Sequence, residues 1–309
     1  MPEVVIYLYK KLLVSLSMYE GDESLIRYAG MFARISKAEK VYFLHVAENL
    51  DIPDKIRKEY PDMLRPLDEF SVNGMDEAVK KFFNGPNQTE ISYDVVEGAI
   101  LPEILDMAVK KEIDLIIVGK KKRGITPGGF DKKLARKAPC SVLIVPEGVQ
   151  PKIRKILTPV DFSENSADAL DVAAAFARGS GLPEIFSLNV YQVPIGYYKT
   201  GKDYDEFAKI MKKHARKNMY EFIQNIELGD VAVQPVLILD KKASRGIKKI
   251  VKKEDIDLLV MGARGRSAAA AVLLGSVTEQ LITLCNVPLI AVKKKGANMN
   301  VIKALLAKG

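Results

Sequence analysis

Cysteine is scarce. The 309 residues hold two, Cys140 and Cys285, with no CxxC pair and no Cys/His spacing of the kind a metal needs. That argues against a zinc site and a disulfide framework, and both thiols, each just ahead of an apolar run, read as small packing residues. Histidine is equally rare, at two. His45 ends an apolar run and reads as a satisfied buried imidazole; His214 sits in a lysine-rich stretch, where it is expected on the wet face. No Ser-His-Asp set, metal cluster or paired carboxylates stand out, so no catalytic residue and no metal ligand are assigned. The Lys-Ser/Thr ending of a Walker loop is missing as well. Runs such as Val231–Leu239, broken by Gln234 and Pro235, are too short to span a bilayer. No positive-then-apolar leader opens the chain, which makes the cytoplasm the expected compartment and a membrane an unexpected partner.

What is present is ordinary for a globular protein: 48% hydrophobic and 28% charged residues. The length favours two domains. Lys and Arg total 47 against 39 Asp and Glu, a formal charge of +8. These cations are spread as pairs, Lys110-Lys111, Lys212-Lys213, Lys248-Lys249 and Lys252-Lys253, which suits solvated helix faces better than a nucleic-acid footprint. No nucleic-acid partner is expected, while small anionic ligands remain compatible with the surplus.

The chain repeats itself once, and this decides the architecture. Residues 11–34 lie over 155–178 at an offset of 144, ending on Phe32-Ala33-Arg34 over Phe176-Ala177-Arg178. VYFLHV, ending at Val46, lies over the run ending at Val190 at the same offset. DLIIVG, Asp114–Gly119, lies over DLLVMG, Asp257–Gly262, at 143, and SVLIVP corresponds to PLIAV. Domains of 1–148 and 152–295 follow, with a Gly- and Pro-bearing linker at EGVQPK. Val301, Ile302, Leu305 and Leu306 give a 296–309 tail the spacing of a short amphipathic helix that docks on this molecule or a partner.

Each copy alternates short apolar runs with helical patterns. In the second, strands are expected at Ile156–Val160, Ile185–Val190, Val231–Leu239, Leu258–Met261 and Leu289–Val292. Between them lie helices from Ser163 or Asn165 to Gly179 or Gly181, then near 203–227, 244–253 and 277–284. Strands alternating with helices imply a doubly wound α/β unit with a five-stranded parallel sheet. Its ligand site is expected beyond the carboxyl ends of the strands, where strand order reverses.

After the fourth strand of the second copy the chain reads GARGRSAAAAVLLGSVTEQ. Gly262 and Gly265 let main-chain amides approach a ligand with no Cβ in the way. Gly275, Ser276 and Val277 set amides and a hydroxyl at a helix amino terminus, where phosphate is favoured. Arg264 and Arg266 add charge-assisted contacts. Taken alone, glycines in a loop serve turning as readily as phosphate.

The spacing Gly262-x-x-Gly265-x9-Gly275-Ser276 resembles the ATP-binding signature of the universal stress protein family, and LTPVDFSENS resembles that family's first-strand motif. The resemblance covers nearly the whole of each repeat. It implies a Rossmann-like sheet of order 3-2-1-4-5 and an adenine nucleotide, ATP, ADP or AMP, with Mg2+ as its optional counter-ion. It also implies a role in the stress response. On it, Pro159, Val160 and Asp161 border the adenosine, Val190 faces adenine through its backbone, and Met261 lies nearby. Gly262, Arg264, Gly265, Gly275, Ser276, Val277 and Thr278 then hold ribose and phosphates. Asp161 is the sharpest of these, and its alternative role is a helix cap. Family members often carry glycine after the third strand. Here Asp240-Lys241-Lys242 stands there, which puts Lys241 where it crowds the base or reaches over it.

In the first copy Ser17 takes the place of Asp161 and Lys122 that of Gly265, and the loop is four residues shorter. That site reads as degenerate, with Gly124, Gly128 and Gly129 serving turns, although Lys120 to Arg123 still suit a different anion. Family members commonly pair through the fifth strand, so the two copies are expected to meet through SVLIVP and PLIAV as a pseudo-dimer, with a homodimer and an unidentified protein partner as further associations. The expected function is ATP-binding regulation by the second domain. A nucleotide-free interaction scaffold and a slow ATPase are the alternatives.

Overall fold

In the computed structural model, residues 9–18, 21–47, 59, 67–120, 129–265 and 274–297 are described. The 296–309 tail helix, Arg266 and most of the first copy's glycine-bearing loop lie outside them. Two compact units divide the chain, Leu8–Pro151 and Lys152–Lys293, and the described residues Lys294–Ala297 group with the first. There the Lys295 ammonium meets Asp114 at 2.8 Å.

The first unit runs β1 (Lys11–Leu16), α1 (Asp22–Ser36), β2 (Lys40–Ala47), α2 (Leu67–Phe82), β3 (Glu90–Glu97), α3 (Ile100–Lys110), β4 (Leu115–Lys120), α4 (Phe130–Lys137) and β5 (Ser141–Pro146). Its sheet has the order β3-β2-β1-β4-β5 with parallel pairings. The second unit runs β6 (Ile156–Pro159), α5 (Glu164–Gly179), β7 (Glu184–Tyr191), a 3-10 turn (Tyr197–Thr200), α6 (Tyr204–Gln224), β8 (Ala232–Leu239), α7 (Ala243–Lys253), β9 (Leu258–Gly262), α8 (Ser276–Leu284) and β10 (Leu289–Val292). Its order is β8-β7-β6-β9-β10, again parallel. Both units are therefore doubly wound five-stranded α/β sheets of order 3-2-1-4-5.

The physical causes are local. β9 and β10 are buried along their whole length, as strands covered by helices on both faces must be. Pro235 falls in β8, at the edge of its sheet, where the missing N–H costs no ladder bond. Ser163 caps α5, its side chain accepting from the Ser166 amide, and Asp203 with Glu206 forms a capping box on α6. The 3-10 turn ahead of α6 was not anticipated; Tyr197 packs there against Tyr204 and Phe207, so its aromatics are held by one another.

The repeat extends to the backbone. Met18 and Phe162, 144 apart, adopt left-handed φ values of 63° and 67°, and Glu112 and Asp255, 143 apart, 54° and 51°. A bulky residue at positive φ is a strained conformation. In both units the first of these kinks lies two or three residues past the end of β1 or β6 and turns the chain into the first helix.

Candidate nucleotide site

Strand order in the second unit reverses at β6, which has β7 on one side and β9 on the other. Just beyond this point lies a cavity of about 680 Å3. Its lining brings together the twelve residues singled out above: Pro159, Val160, Asp161, Val190, Met261, Gly262, Arg264, Gly265, Gly275, Ser276, Val277 and Thr278.

Asp161 divides its work between its two oxygens. Oδ1 accepts from the Ser163 hydroxyl at 2.6 Å, the Ser166 hydroxyl at 2.7 Å and the Ser163 amide at 3.2 Å, which ties the strand end to the first turn of α5. Oδ2 is turned to Gly265, where an added Cβ would lie 2.6 Å from it. That is a cradle a side chain would fill. Gly262 serves a different purpose: its Cβ would meet the Asn165 carbonyl at 2.7 Å and the Asn165 Cβ at 2.9 Å, so this glycine lets β9 pack against α5.

The amino terminus of α8 differs from expectation in two details. The Gly275 amide is not open to a ligand, because it donates to the Ala263 carbonyl at 2.8 Å and so closes the loop. The amides of Ser276 and Val277 remain as first-turn donors without a preceding turn to bond. Thr278 is buried, and its hydroxyl donates to the Gly262 carbonyl at 3.0 Å, locking α8 to the end of β9. Arg264 is half-buried at this end.

At the opposite end, ladder pairing of β6 with β7 stops at Pro159 and Leu188, followed by one bond from the Val160 amide to the Leu188 carbonyl at 2.8 Å. Val190 presents its main-chain groups on the same side as Leu188, past the end of β6, where no strand covers them. Its side chain packs against Gly246 of α7, whose Cβ would come within 3.1 Å of it. Asn189 donates to the Val160 carbonyl at 2.9 Å. In the first unit His45 takes the same place, its Nδ1 lying 3.2 Å from the carbonyl of Leu16, the counterpart of Val160. The imidazole has a hydrogen-bond partner there, and it is half-buried rather than buried as expected.

Lys241 neither crowds nor overhangs the cavity. It is exposed and absent from the lining, because Asp240 holds the chain in another course. The buried Asp240 carboxylate accepts from Arg245 Nε at 2.9 Å and pairs with Arg245 Nη2 at 2.7 Å, with the Lys242 amide at 2.9 Å and Lys249 at 3.4 Å beyond. The Arg245 hydrogen bonds hold this carboxyl well below the usual carboxylate range. A depressed folded-state value means stability that is present above the unfolded value, about 3.9, and lost as pH falls through the folded one. Arg245→Met removes most of the depression, so its acid-unfolding midpoint, followed by circular dichroism, is expected at a higher pH than that of the wild type.

Several lining residues escaped the sequence reading. Met211, His214, Ala215 and Asn218 form one face of α6 over the cavity, and Ala243 and Ile247 of α7 close it from another side. His214 is exposed, as expected, yet it also lines the cavity. The i, i+3, i+4, i+7 spacing was the available signal, in a helix otherwise rich in lysine. Phe162 meets Phe222 edge-on at 5.5 Å and so joins the kink after Asp161 to α6.

The first unit makes the same contact with its polarity exchanged. Asp22, at the position of Ser166, accepts from the Ser17 hydroxyl at 3.1 Å and from the Met18 amide at 2.7 Å, and Ser17 stands where Asp161 does. Burial pushes the Asp22 carboxyl up, partly offset by those hydrogen bonds and by the nearby His45. The carboxylate has moved from the strand end to the helix. Lys120 at the end of β4 is buried, and Gly129, at φ 65°, makes a turn ahead of α4.

Two doubly wound units, one with a cavity at its switch point rimmed by spaced glycines and a helix amino terminus, define a tandem Rossmann-like α/β protein. The profile of the universal stress protein family matches residues 8–146 and 152–293, and the chain belongs to that family. Nucleotide binding is typical of it. Universal stress protein MJ0577 of Methanocaldococcus jannaschii is 30% identical over 158 residues, 47% of this chain and 97% of its own. Universal stress protein Rv2623 of Mycobacterium tuberculosis is 25% identical over 209 residues, 65% of this chain and 68% of its own. A universal stress protein from Archaeoglobus fulgidus superposes with a TM-score of 0.62 at 16% identity, over 92% of this chain and 98% of its own, a likeness of fold alone. Among the described residues no helix is long and apolar enough to cross a membrane.

Proposed function

We propose that the second unit binds an adenine nucleotide, ATP foremost, and that the chain acts as an ATP-binding regulatory protein of the stress response rather than as an efficient enzyme. The observation that carries this reading is the pairing of Asp161 Oδ2 with the Cβ-free face of Gly265 inside the cavity, opposite the first-turn amides of α8. Gly262 and Thr278 hold that arrangement in place, and Arg264 supplies positive charge where phosphate would lie. The exchanged pair Ser17 and Asp22 supports assigning the nucleotide to the second unit, because the first keeps the structural hydrogen bond without the strand-end carboxylate.

Thermal shift on the full chain tests the reading. Millimolar ATP over a dissociation constant of ~10 µM is expected to stabilise the protein by about 2.7 kcal/mol. No shift with ATP, ADP or AMP, with and without Mg2+, overturns the proposal in favour of a nucleotide-free interaction scaffold. Phosphate release that disappears in Asp161→Ala and Ser276→Ala would instead assign a slow ATPase.

A further inference from the structure

The cavity has two chemically different ends. Arg264, Ser276 and Val277 make one end polar and positive, suited to phosphate. The other, at the tip of β7, is walled by apolar Val190, Met211, Ala243 and Ile247, suited to the flat faces of a base. Most polar side chains in the lining are already committed. Asp161 and Ser166 bond each other, Asn189 bonds the Val160 carbonyl, Gln192 the Lys241 carbonyl and Thr278 the Gly262 carbonyl. Among the described residues, Tyr191, His214, Asn218 and Ser276 line the cavity without a side-chain hydrogen bond. Ser276 belongs to the phosphate end. Of the other three, only Asn218 offers a donor and an acceptor side by side in one plane.

We propose that Asn218 on α6 is a base-reading side chain of the site, beside the main chain of Val190, and selects adenine over guanine, with His214 covering the base one turn away. The reasoning rests on the nucleotide reading above and on edge chemistry. Adenine presents an N–H donor next to a ring-nitrogen acceptor on either edge, which a carboxamide matches with two hydrogen bonds. Guanine presents two adjacent acceptors on one edge, and on the other an acceptor followed by donors. A carboxamide can also span O6 and N1–H of guanine, but it leaves the exocyclic amino group unmatched, whereas a carboxylate takes both guanine donors. Asn218 is exposed on a helix anchored by Ala215, Met219 and Phe222, so replacing it leaves the packing intact.

Titration calorimetry of the full chain with ATP and with GTP is the test, with Asn218→Leu and Asn218→Asp compared to wild type at matched melting temperature. Wild type is expected to prefer ATP. In Asn218→Leu, ATP should weaken about tenfold and GTP by less, as losing a fully matched pair of neutral hydrogen bonds implies. Asn218→Asp should lose ATP further and move the ratio towards GTP. If wild type binds ATP and both variants keep its ATP-to-GTP ratio, the assignment of Asn218 is overturned and the nucleotide reading stands. If wild type binds neither nucleotide, both fall together.

Discussion

Exchanging Asp161 and Ser166 in one molecule, Asp161→Ser with Ser166→Asp, should leave the second unit folded and remove most of its affinity for ATP. The first unit supplies the precedent, since it holds the same strand end to the same helix turn through Ser17 and Asp22. In the exchanged protein the hydroxyl-to-carboxylate bond that joins β6 to α5 would survive with reversed direction. What goes is the carboxylate oxygen facing Gly265. A charged hydrogen bond is worth about 1.5–3 kcal/mol, so affinity should fall by roughly one to two decades. Melting temperature and calorimetric titration, measured together, separate the two roles. A large loss of stability with unchanged affinity for the remaining folded protein would mean that Asp161 is only a cap.

The glycines provide the second large effect, because two of them three residues apart should fail in different ways. At Gly262 an added methyl meets the backbone carbonyl of Asn165 at 2.7 Å, and neither β9 nor α5 can yield without disturbing the sheet. Gly262→Ala is expected to cost about 1–3 kcal/mol of stability, the usual scale of overpacking. At Gly265 the methyl meets the end of the Asp161 side chain, which can rotate away. Gly265→Ala should therefore cost less stability than Gly262→Ala, through the loosened hydrogen bonds of Asp161, while ATP binding falls about tenfold or more, since the displaced carboxylate no longer faces the cavity. Denaturant unfolding and ATP titration of the two variants decide the matter. If both lose stability alike and Gly265→Ala binds as wild type does, the cradle has no part in binding.

These contrasts show which parts of the protein are local. The repeat, the alternation of apolar runs and helical patterns, and the caps at Ser163 and Asp203 each depend on residues a few positions apart, and such patterns are legible in the chain itself. The strand order was an implication of the family resemblance, since right-handed crossovers narrow the windings of five parallel strands without choosing one. Lys241 was misplaced because its direction depends on the grip of Arg245 and Lys249 on Asp240, and hydropathy does not record that. The Gly275 amide was counted as available because its acceptor, the Ala263 carbonyl, lies across the loop.

Sequence alone determined that the chain is two copies of one α/β unit, and that the second carries glycines, a helix start and an aspartate at spacings suited to an anion. Only the tertiary structure decided that Oδ1 of Asp161 is spent on the fold while Oδ2 turns to Gly265, and that α6 lays Met211, His214 and Asn218 over the same cavity. The reason is distance along the chain. Periodicity reports which face of one element is apolar, but which elements share a cavity is set by the pairing of strands far apart in sequence.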